Sequence, residues 1–156
     1  MKFLCDEMLA GLGRWLRAAG YDTEIAETQM EDSKILDRAM REKRFLLTRD
    51  RHFQEMATDG KTIIFLNQNT LEECVQELKR QLKIDWLHAP FSRCLECNAT
   101  LAEPKPETVL EQVPDSIRSA TDRFWYCPHC EKVYWQGSHT ERMREQLKAW
   151  NELHEG

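Results

Sequence analysis

Short apolar runs alternate with amphipathic stretches along the first 85 residues of the chain. The runs at residues 2–5, 45–48 and 62–66 are apolar almost throughout, and a weaker run covers residues 21–26. Strands of this kind are typical of a parallel sheet buried on both faces, because each crossover lays a helix on the sheet. The pattern therefore predicts an α/β fold with helices on both faces of a parallel sheet.

The stretches between these runs carry apolar residues at helical spacing, which predicts amphipathic helices. The residues expected to face the core are Met8, Leu9, Leu12, Trp15, Leu16 and Ala19 in a first helix, Ile35, Leu36, Ala39 and Met40 in a second, and Leu71, Cys74, Val75, Leu78 and Leu82 in a fourth. A short third helix is expected from about residue 51 to residue 58. Gly20 is expected to end the first helix. Capping boxes at residues 28–31 and 70–73 mark the starts of the second and fourth.

A different pattern follows Pro90 and indicates a second module. Paired cysteines bracket a stretch rich in Glu and Pro, and Ser138-His139-Thr140-Glu141 has the form of a capping box for a last helix. That helix is expected to turn Met143, Leu147 and Trp150 inward. We therefore divide the chain into a domain over residues 1–88 and a module over residues 89–156.

Composition excludes a membrane-spanning protein, and the net charge argues against a non-specific binder of duplex nucleic acid. No apolar run approaches the roughly 20 residues that span a bilayer, so no membrane segment is expected. The net charge of -5 argues against a broad basic surface for duplex nucleic acid, so a nucleic-acid contact must use a local patch or metal ions. The first residues reach Asp6 too early for the apolar stretch of a signal peptide, and we expect a cytoplasmic protein.

Four of the six cysteines form two C-x-x-C pairs, Cys94 with Cys97 and Cys127 with Cys130, separated by 29 residues. Two such pairs can close a tetrahedral four-thiolate zinc site. Four thiolates leave no open position for water, so the ion is expected to stabilise the module and to do no chemistry. A redox dithiol is the competing interpretation, and His129 is a less favoured substitute ligand.

Four aromatic residues flank the second cysteine pair: Trp125, Tyr126, Tyr134 and Trp135. Aromatic side chains in a basic or metal-held module can stack on nucleic-acid bases. They can equally form the small apolar core that a metal module lacks. Both interpretations stay open at the level of sequence.

Acidic residues follow two of the predicted strands. Asp6 comes directly after the first strand and Asp50 comes after the 45–48 strand, while Glu31, Asp32 and Asp37 lie in the first turns of the helix between them. In a parallel sheet the carboxyl ends of strands form the functional crevice. Carboxylates meeting there suit Mg²⁺ or Mn²⁺, which prefer oxygen ligands. Taken singly, Asp50 and Asp32 could instead serve a helix N-terminus, and Asp37 could be a solvated surface residue.

Four arginines lie near these acids in the sequence. Arg14 and Arg17 are expected to lie away from the apolar stripe of the first helix, and Arg49 and Arg51 flank Asp50. Guanidinium groups in such positions can bind phosphates, although a solvated helix face also explains Arg14 and Arg17. Cys5 as a nucleophile is disfavoured, because a strand cysteine usually belongs to the core.

Several segments of the chain resemble a known family. They are Lys2-Phe3-Leu4-Cys5-Asp6-Glu7-Met8-Leu9, Arg14-Trp15-Leu16-Arg17 with Gly20-Tyr21-Asp22, Leu46-Leu47-Thr48-Arg49-Asp50-Arg51, and Cys127-Pro128-x-Cys130-x-Lys132-Val133-Tyr134-Trp135-x-Gly137-Ser138-His139. These segments are similar to the Mut-seven C-terminal ribonuclease-domain family, a branch of the PIN-like nucleases. The resemblance covers nearly the whole chain.

The resemblance implies a PIN-like nuclease domain over residues 1–88, followed by a zinc ribbon and a C-terminal helix. It implies RNA as the substrate and Mg²⁺ or Mn²⁺ as the catalytic ion. Asp6, Asp32 and Asp50 match the acidic positions of the family. The zinc ribbon is then expected to position the RNA or to dock on a protein or ribosomal partner.

One departure from the family concerns the residues after Asp50. His52 and Phe53 stand where related sequences commonly offer an acid and an aromatic residue. Glu31 or Asp37 could supply the missing oxygen, or a single metal ion could suffice. Ser138 and His139 of the tail motif are expected to belong to a helix cap.

The leading hypothesis is therefore a metal-dependent ribonuclease. The three acids hold the ion, water attacks the phosphodiester, and Arg14, Arg17 or Arg51 orients the RNA backbone. The alternative is a non-catalytic RNA- or ribosome-binding adaptor in which the acids are structural. A thiol oxidoreductase that uses the two C-x-x-C pairs ranks third.

Overall fold

The computed structural model describes residues 1–56 and 59–153 and contains a parallel sheet, a small hairpin and seven α-helices in that part of the chain. Along the chain the elements are β1 (Lys2–Cys5), a turn of 3-10 helix (Glu7–Leu9), α1 (Ala10–Ala18), β2 (Asp22–Ile25), α2 (Asp32–Arg41), β3 (Phe45–Thr48), α3 (His52–Met56), β4 (Ile63–Phe65), α4 (Leu71–Gln81), α5 (Pro106–Gln112), α6 (Asp115–Ala120), β5 (Phe124–Cys127), β6 (Lys132–Trp135) and α7 (Ser138–Asn151). Residues 57 and 58 of the expected third helix lie outside the described residues.

The first four strands form one parallel sheet in the order β2-β1-β3-β4. Phe3 of β1 lies between Thr23 of β2 and Phe45 of β3. The chain builds outward from β1 to β2, then crosses to β3 on the other side of β1, so the strand order reverses between β1 and β3. The parallel sheet predicted from the apolar runs is confirmed, and its switch point lies between the two strands that precede Asp6 and Asp50.

Helices cover both faces of this sheet. On one face α1 and α4 pack against the strands through core residues such as Leu12, Leu16 and Val75. On the other face α2 and α3 bury Ile35 and Phe53. This two-sided burial explains why the strands are apolar almost throughout.

Two methionines expected in the core are exposed. Met8 has 73% of its surface accessible and Met40 has 50%. Met8 belongs to the 3-10 turn, whose tighter winding rotates its side chain off the stripe that Leu12 and Leu16 share. Met40 follows the fully buried Ala39 in the last turn of α2 and lies at the edge of the stripe that Ile35, Leu36 and Ala39 bury. The inward placement of both residues was wrong.

The three expected capping boxes have different outcomes. At α4 the Thr70 hydroxyl accepts a hydrogen bond from the Glu73 N–H, while the Glu73 carboxylate bonds to the N–H of Asn69 instead of Thr70. At α2 the N-cap residue is Glu31 itself, in extended conformation and without a side-chain bond, so the box at residues 28–31 does not form. The box at α7 is also wrong, because Ser138 already lies in the helix and the N-cap is Gly137.

The part of the chain after Pro90 packs back onto the sheet and its helices and shares their core. Its β5-β6 hairpin is antiparallel, and α7 buries Leu147 and Trp150 in the same core as α1 and α4. The Trp150 ring meets the ring of Trp86 edge-on at a centroid distance of 5.0 Å. The Lys79 ammonium of α4 donates hydrogen bonds to three carbonyls at the C-terminal end of α7. In residues 1–56 and 59–153 no helix has the length and apolar character that a bilayer span requires.

Gly20 is required where α1 turns into β2. Its φ is +101°, and a Cβ at this position would lie 2.6 Å from the Ala89 Cβ and 2.8 Å from the Ala89 carbonyl carbon. The close approach is fixed by hydrogen bonds from the Ala89 and Phe91 N–H groups to the end of α1. We expect Gly20→Ala to lower the free energy of unfolding by about 1–3 kcal/mol, measured by chemical denaturation.

Gly11 provides the matched control for this substitution. It lies in α1, and a Cβ there would meet nothing within 4 Å. Because alanine is the better helix former, Gly11→Ala should raise the free energy of unfolding by about 0.5–1 kcal/mol. Equal stability of the Gly20→Ala and wild-type proteins would contradict the role assigned to the turn.

Candidate functional site

The acid at the end of β1 is buried and held by three donors. Asp6 is 9% exposed, its Oδ1 accepts from the Leu9 N–H at 3.2 Å, and its Oδ2 accepts from the Arg49 N–H at 3.0 Å and from the Thr48 hydroxyl. The Leu9 bond caps the 3-10 turn, so one carboxylate oxygen begins the helix that follows the strand. The other oxygen ties β1 to the end of β3.

Thr48 links the acids that follow the two central strands. Its hydroxyl donates to Asp6 Oδ2 and accepts from the Asp50 N–H at 3.0 Å. The Asp50 carboxylate in turn accepts from the His52 N–H at 2.9 Å, which starts α3. Asp6 and Asp50 therefore belong to one hydrogen-bonded network at the switch point of the sheet.

His52 extends this network to the third acid. Its Nδ1 lies 3.0 Å from Asp32 Oδ2 at the N-terminus of α2. The hydrogen bond with Asp32, and after it the charges of Asp32, Asp50 and Glu55, raise the pKa of His52 above its ordinary value. His52, which stands where the resemblance implies an acid, is thus the residue that joins Asp32 to the other two acids.

We expect the pKa of His52 to lie above 6.5 in the metal-free protein and to fall in the Asp32→Asn variant. A pKa raised by folding means that the contact stabilises the fold below about pH 6.5 and loses this effect as the pH rises through the folded value. Titration of the His52 ring signals by NMR measures both values. An unchanged pKa in Asp32→Asn would show that the pair does not form in solution.

The carboxylates of Asp6, Asp32 and Asp50 are ligands that suit Mg²⁺ or Mn²⁺, but in the described structure their oxygens do not all lie within 4.8 Å of one another. Among the described residues, the only group of three or more Cys, His, Asp or Glu ligand atoms within 4.8 Å of one another is the cysteine cluster. Asp32 Oδ1 and Asp50 Oδ2 accept no hydrogen bond from the described residues and keep their lone pairs free. Mg²⁺ commonly binds one or two carboxylates together with water and substrate phosphates. The residues fit an ion of that kind.

The arginines predicted to bind substrate lie in three different settings. Arg51 has its guanidinium 5.8 Å from the centre of the Phe65 ring, close to the acidic edge. Arg14 is half-exposed and pairs with Glu96. Arg17 is 5% exposed and donates to the Thr23 and Leu95 carbonyls, so its expected position away from the apolar face was wrong. The buried face of α1 is wider than expected, because the segment around Leu95 covers Arg17.

The other acids of the sequence pattern do not join the network. Asp37 is an exposed residue of α2 that pairs with Arg41 one turn later. Glu31 is the N-cap residue of that helix and makes no side-chain capping bond.

Cys5 is fully buried in the core beside the network, and burial raises the pKa of its thiol far above the ordinary value. A thiol in that environment is a poor nucleophile.

The four paired cysteines converge on one point of the second module. Their sulfurs all lie within 4.8 Å of one another, with Cys94 Sγ 3.9 Å from Cys130 Sγ and Cys97 Sγ 3.4 Å from Cys127 Sγ. In a tetrahedral site with Zn–S bonds of about 2.3 Å the sulfurs lie about 3.8 Å apart. The four thiols fit zinc, and they leave no position for a reacting water.

The two cysteine turns have the same backbone form. In each turn the residue after the second cysteine, Asn98 or Glu131, has a φ near +60° to +75° and donates its N–H to the carbonyl of the first cysteine. Burial opposes ionisation of the Cys94 thiol, but hydrogen bonds from the Tyr134 hydroxyl and from backbone N–H groups lower its pKa. The lowered pKa favours the thiolate form of Cys94, which is the form that binds zinc.

Asn98 also fixes the first cysteine turn to the edge of the sheet. Its Oδ1 accepts from the Thr23 N–H of β2 at 2.9 Å, and its Nδ2 donates to Asp22 and Glu24. The first cysteine turn thereby covers β2, the edge strand of the parallel sheet.

Sequence reasoning missed two functional residues, Asn98 and Thr48. Asn directly after a C-x-x-C pair, where a positive φ is needed, was a usable signal for the first. A threonine at the buried end of a strand, two residues before an acid, was a signal for the second.

Comparison with protein families gives one match. The family model described as Mut7-C RNAse domain matches residues 1–147 of the chain. The matched stretch runs from β1 into α7, so it includes the acidic network and the four cysteines. No curated protein and no solved structure matches the chain.

Proposed function

The chain belongs to the Mut7-C RNase domain family, and from that premise we propose that it is a metal-dependent ribonuclease that hydrolyses RNA phosphodiester bonds at Asp6, Asp32 and Asp50. The hydrogen-bonded network that joins these acids through Thr48 and His52 is the observation that carries the proposal. It lies at the switch point of a parallel sheet, where ligands of such sheets bind.

Each acid has a distinct role in this proposal. Asp50 and Asp32 would hold Mg²⁺ or Mn²⁺ through the oxygens that no protein donor uses. Asp6 was predicted as a third ligand, but both of its oxygens already accept hydrogen bonds, so we propose that it contributes negative charge to the site. The ion would supply Lewis-acid activation of water and neutralise charge at the phosphate. Three donors hold the Asp6 carboxylate, so its orientation needs no rearrangement when RNA binds.

Basic groups near the acids bind and orient the RNA backbone. Arg51 follows Asp50 directly, and its guanidinium lies over the Phe65 ring, which leaves its planar fork able to pair with a phosphate. Arg14 is available on the outer face of α1. The buried Arg17 supports the site indirectly, because it fastens α1 to β2 and to the zinc module.

The zinc module is proposed to position RNA or to dock on a protein or ribosomal partner. Cys94, Cys97, Cys127 and Cys130 would hold the zinc ion, and it would be structural because four thiolates would complete its coordination. Six cysteines without a disulfide among them fit a reducing compartment, so we propose the cytoplasm as the site of action.

Cleavage of end-labelled single-stranded RNA with and without added ion tests this function. The zinc-loaded protein is freed of other divalent ions, its zinc content is measured, and Mn²⁺ or Mg²⁺ is then added back. We expect cleavage only after the addition, at unchanged zinc content. Cleavage of equal rate without added ion would refute the metal dependence.

A non-catalytic RNA- or ribosome-binding adaptor is the second candidate. The spacing of the carboxylates favours it, because in the described residues no three of them lie within 4.8 Å of one another. An adaptor would bind RNA equally well with and without the acidic residues and would leave it intact. Two results together would establish this function. The wild-type protein would leave RNA intact with every added ion, and the Asp50→Asn variant would bind RNA as tightly as the wild type.

A further inference from the structure

A cavity of about 490 Å³ lies between the zinc module and the first helix of the α/β domain. It is enclosed by the β5-β6 hairpin, the first turn of α7, the segment around the first cysteine pair and Arg14 of α1. Sites for small molecules in proteins commonly measure about 300–1,000 Å³. The cavity is separate from the network of acids, and of the three arginines predicted to bind substrate only Arg14 is in its described lining.

Aromatic rings form much of the wall of this cavity. Trp125 and Tyr134 are opposite each other on the hairpin, Trp135 lies next to the first turn of α7, and Phe91 packs 6.5 Å from Trp125 between ring centroids. The three hairpin rings are only half-buried although they surround an apolar space. Flat aromatic faces exposed in a cleft are the surfaces on which nucleic-acid bases stack.

Positive charge lies at the same cavity in a protein whose overall charge is negative. Arg14 and Arg93 line it, and the Arg144 guanidinium lies 5.1 Å from the centre of the Phe91 ring. Glu96 is the only acidic residue of the described lining, and its ion pair with Arg14 is half-exposed on both sides. Exposed pairs of this kind contribute little to stability, so Arg14 can exchange Glu96 for a phosphate at small cost.

The first turn of α7 adds backbone donors to these arginines. Residues 138–140 line the cavity, and the N-cap residue before them, Gly137, has no side chain that could bond to the first N–H groups of α7. Because α7 has 14 residues, its N-terminus carries a positive end that favours an anion. Aromatic walls with phosphate-binding groups at one side match the two halves of a nucleotide.

We propose that this cavity binds one nucleotide of single-stranded RNA, with the base against Trp125 and Trp135 and a phosphate at Arg14 and the first turn of α7. The inference rests on the proposed function, because it places a second contact on the same RNA substrate. Arg14 follows Asp6 by eight residues, across the 3-10 turn and the start of α1, on the order of 13 Å along the axes of these two elements. We therefore expect an RNA chain a few nucleotides long to contact both the cavity and the acids.

Binding of a fluorescein-labelled mixed-sequence single-stranded RNA, followed by anisotropy, tests the inference. The zinc-loaded full chain carries Asp50→Asn so that no RNA is cut during the measurement. Adding Trp125→Leu or Trp135→Leu should raise the Kd by about fivefold or more, the loss expected for one base–aromatic stack. Trp125→Phe keeps an aromatic face and should restore most of the affinity.

Tyr126→Leu is the matched control, since Tyr126 lies on the same hairpin strand as Trp125 but outside the cavity lining. It should bind RNA as the parent does, with one zinc per chain in every variant. Parent-like affinity of both tryptophan variants would overturn the inference, as would an equal loss in Tyr126→Leu. Binding is measured without cleavage, so the two proposals can fail separately. If the wild-type protein cleaves no RNA but the Kd for RNA still rises in the tryptophan variants, the ribonuclease proposal is refuted and the nucleotide cavity is not.

Discussion

The Cys127→Ser variant is expected to lose its zinc and, with it, the fold of the second module. Cys127 is fully buried and its sulfur lies 3.4 Å from Cys97 Sγ, so a hydroxyl there leaves three thiolates around the ion. Zinc binding to a four-thiolate or similar site contributes apparent free energies of about 10–16 kcal/mol in isolated zinc-finger peptides. Metal analysis should show a zinc content well below one ion per chain.

The effect should reach the α/β domain. The first cysteine turn fixes the edge strand through Asn98, and α7 shares the core of α1 and α4 through Trp150. A protein without zinc loses the geometry that aligns the Asn98 side chain with the Thr23 N–H. We therefore expect a lower thermal midpoint for the whole chain and rapid proteolysis between residues 98 and 126.

Cys74→Ala is the matched control for the zinc prediction. Cys74 is buried in α4 and is not one of the four clustered thiols. Its variant should keep one zinc per chain, at a modest cost in stability from the smaller side chain. A fully zinc-loaded and protease-resistant Cys127→Ser protein would contradict the four-thiolate site.

Asp50→Asn is expected to reduce RNA cleavage by about a hundredfold or more, because it removes a charged oxygen from the proposed metal site. The substitution should leave the fold intact. The asparagine side chain of this variant retains an oxygen that can accept from the His52 N–H, which is the one bond that the Asp50 carboxylate makes in the described structure. A loss of activity at unchanged stability therefore reports on chemistry.

Asp6→Asn gives a less direct result. The Asp6 Oδ2 accepts from both Thr48 and Arg49, and an amide nitrogen in its place would set a donor against the Arg49 N–H. An unpaired buried donor costs about 1–3 kcal/mol. We expect this variant to lose both cleavage and stability, so its activity alone does not separate the two roles of the carboxylate.

The sequence was sufficient for the parts of the fold that depend on local pattern. Apolar runs such as Phe3 to Cys5 predicted the parallel strands, and Thr70 predicted the start of α4, because burial and capping depend on neighbouring residues. Met8 was misplaced because no local pattern indicates that the first helix begins with a 3-10 turn. Arg17 was misplaced because its guanidinium donates to the Thr23 carbonyl of β2 and to the Leu95 carbonyl, and the helical pattern of α1 shows neither contact.

The candidate site was predictable to a similar degree. Asp6 and Asp50 follow from the rule that the ends of parallel strands meet at one edge, and the four cysteines follow from their spacing. The contact between His52 and Asp32 could not be predicted, since it depends on how α2 and α3 lie against each other on one face of the sheet. The cavity beside Trp125 likewise arises only when the hairpin and α7 return to α1.

Side-chain hydrogen bonds join the part of the chain after Pro90 to the sheet and helices that carry the acids. Arg17 and Asn98 hold the first cysteine turn against α1 and β2, and Lys79 holds the end of α7 against α4. The acids and the proposed nucleotide cavity are thus carried on one packed unit. A rigid relation between a binding cavity and a cleavage site fixes the distance between a bound base and the bond that is cut.

The most direct test of the ribonuclease site compares cleavage of end-labelled single-stranded RNA by the wild-type, Asp50→Asn and Asp122→Asn proteins with Mn²⁺ present. Asp122 is an exposed acid of the zinc module, so its variant matches the change in charge without touching the network at the sheet. We predict that wild type and Asp122→Asn cleave at similar rates and that Asp50→Asn is at least about a hundredfold slower. Cleavage by Asp50→Asn at the wild-type rate would contradict the account.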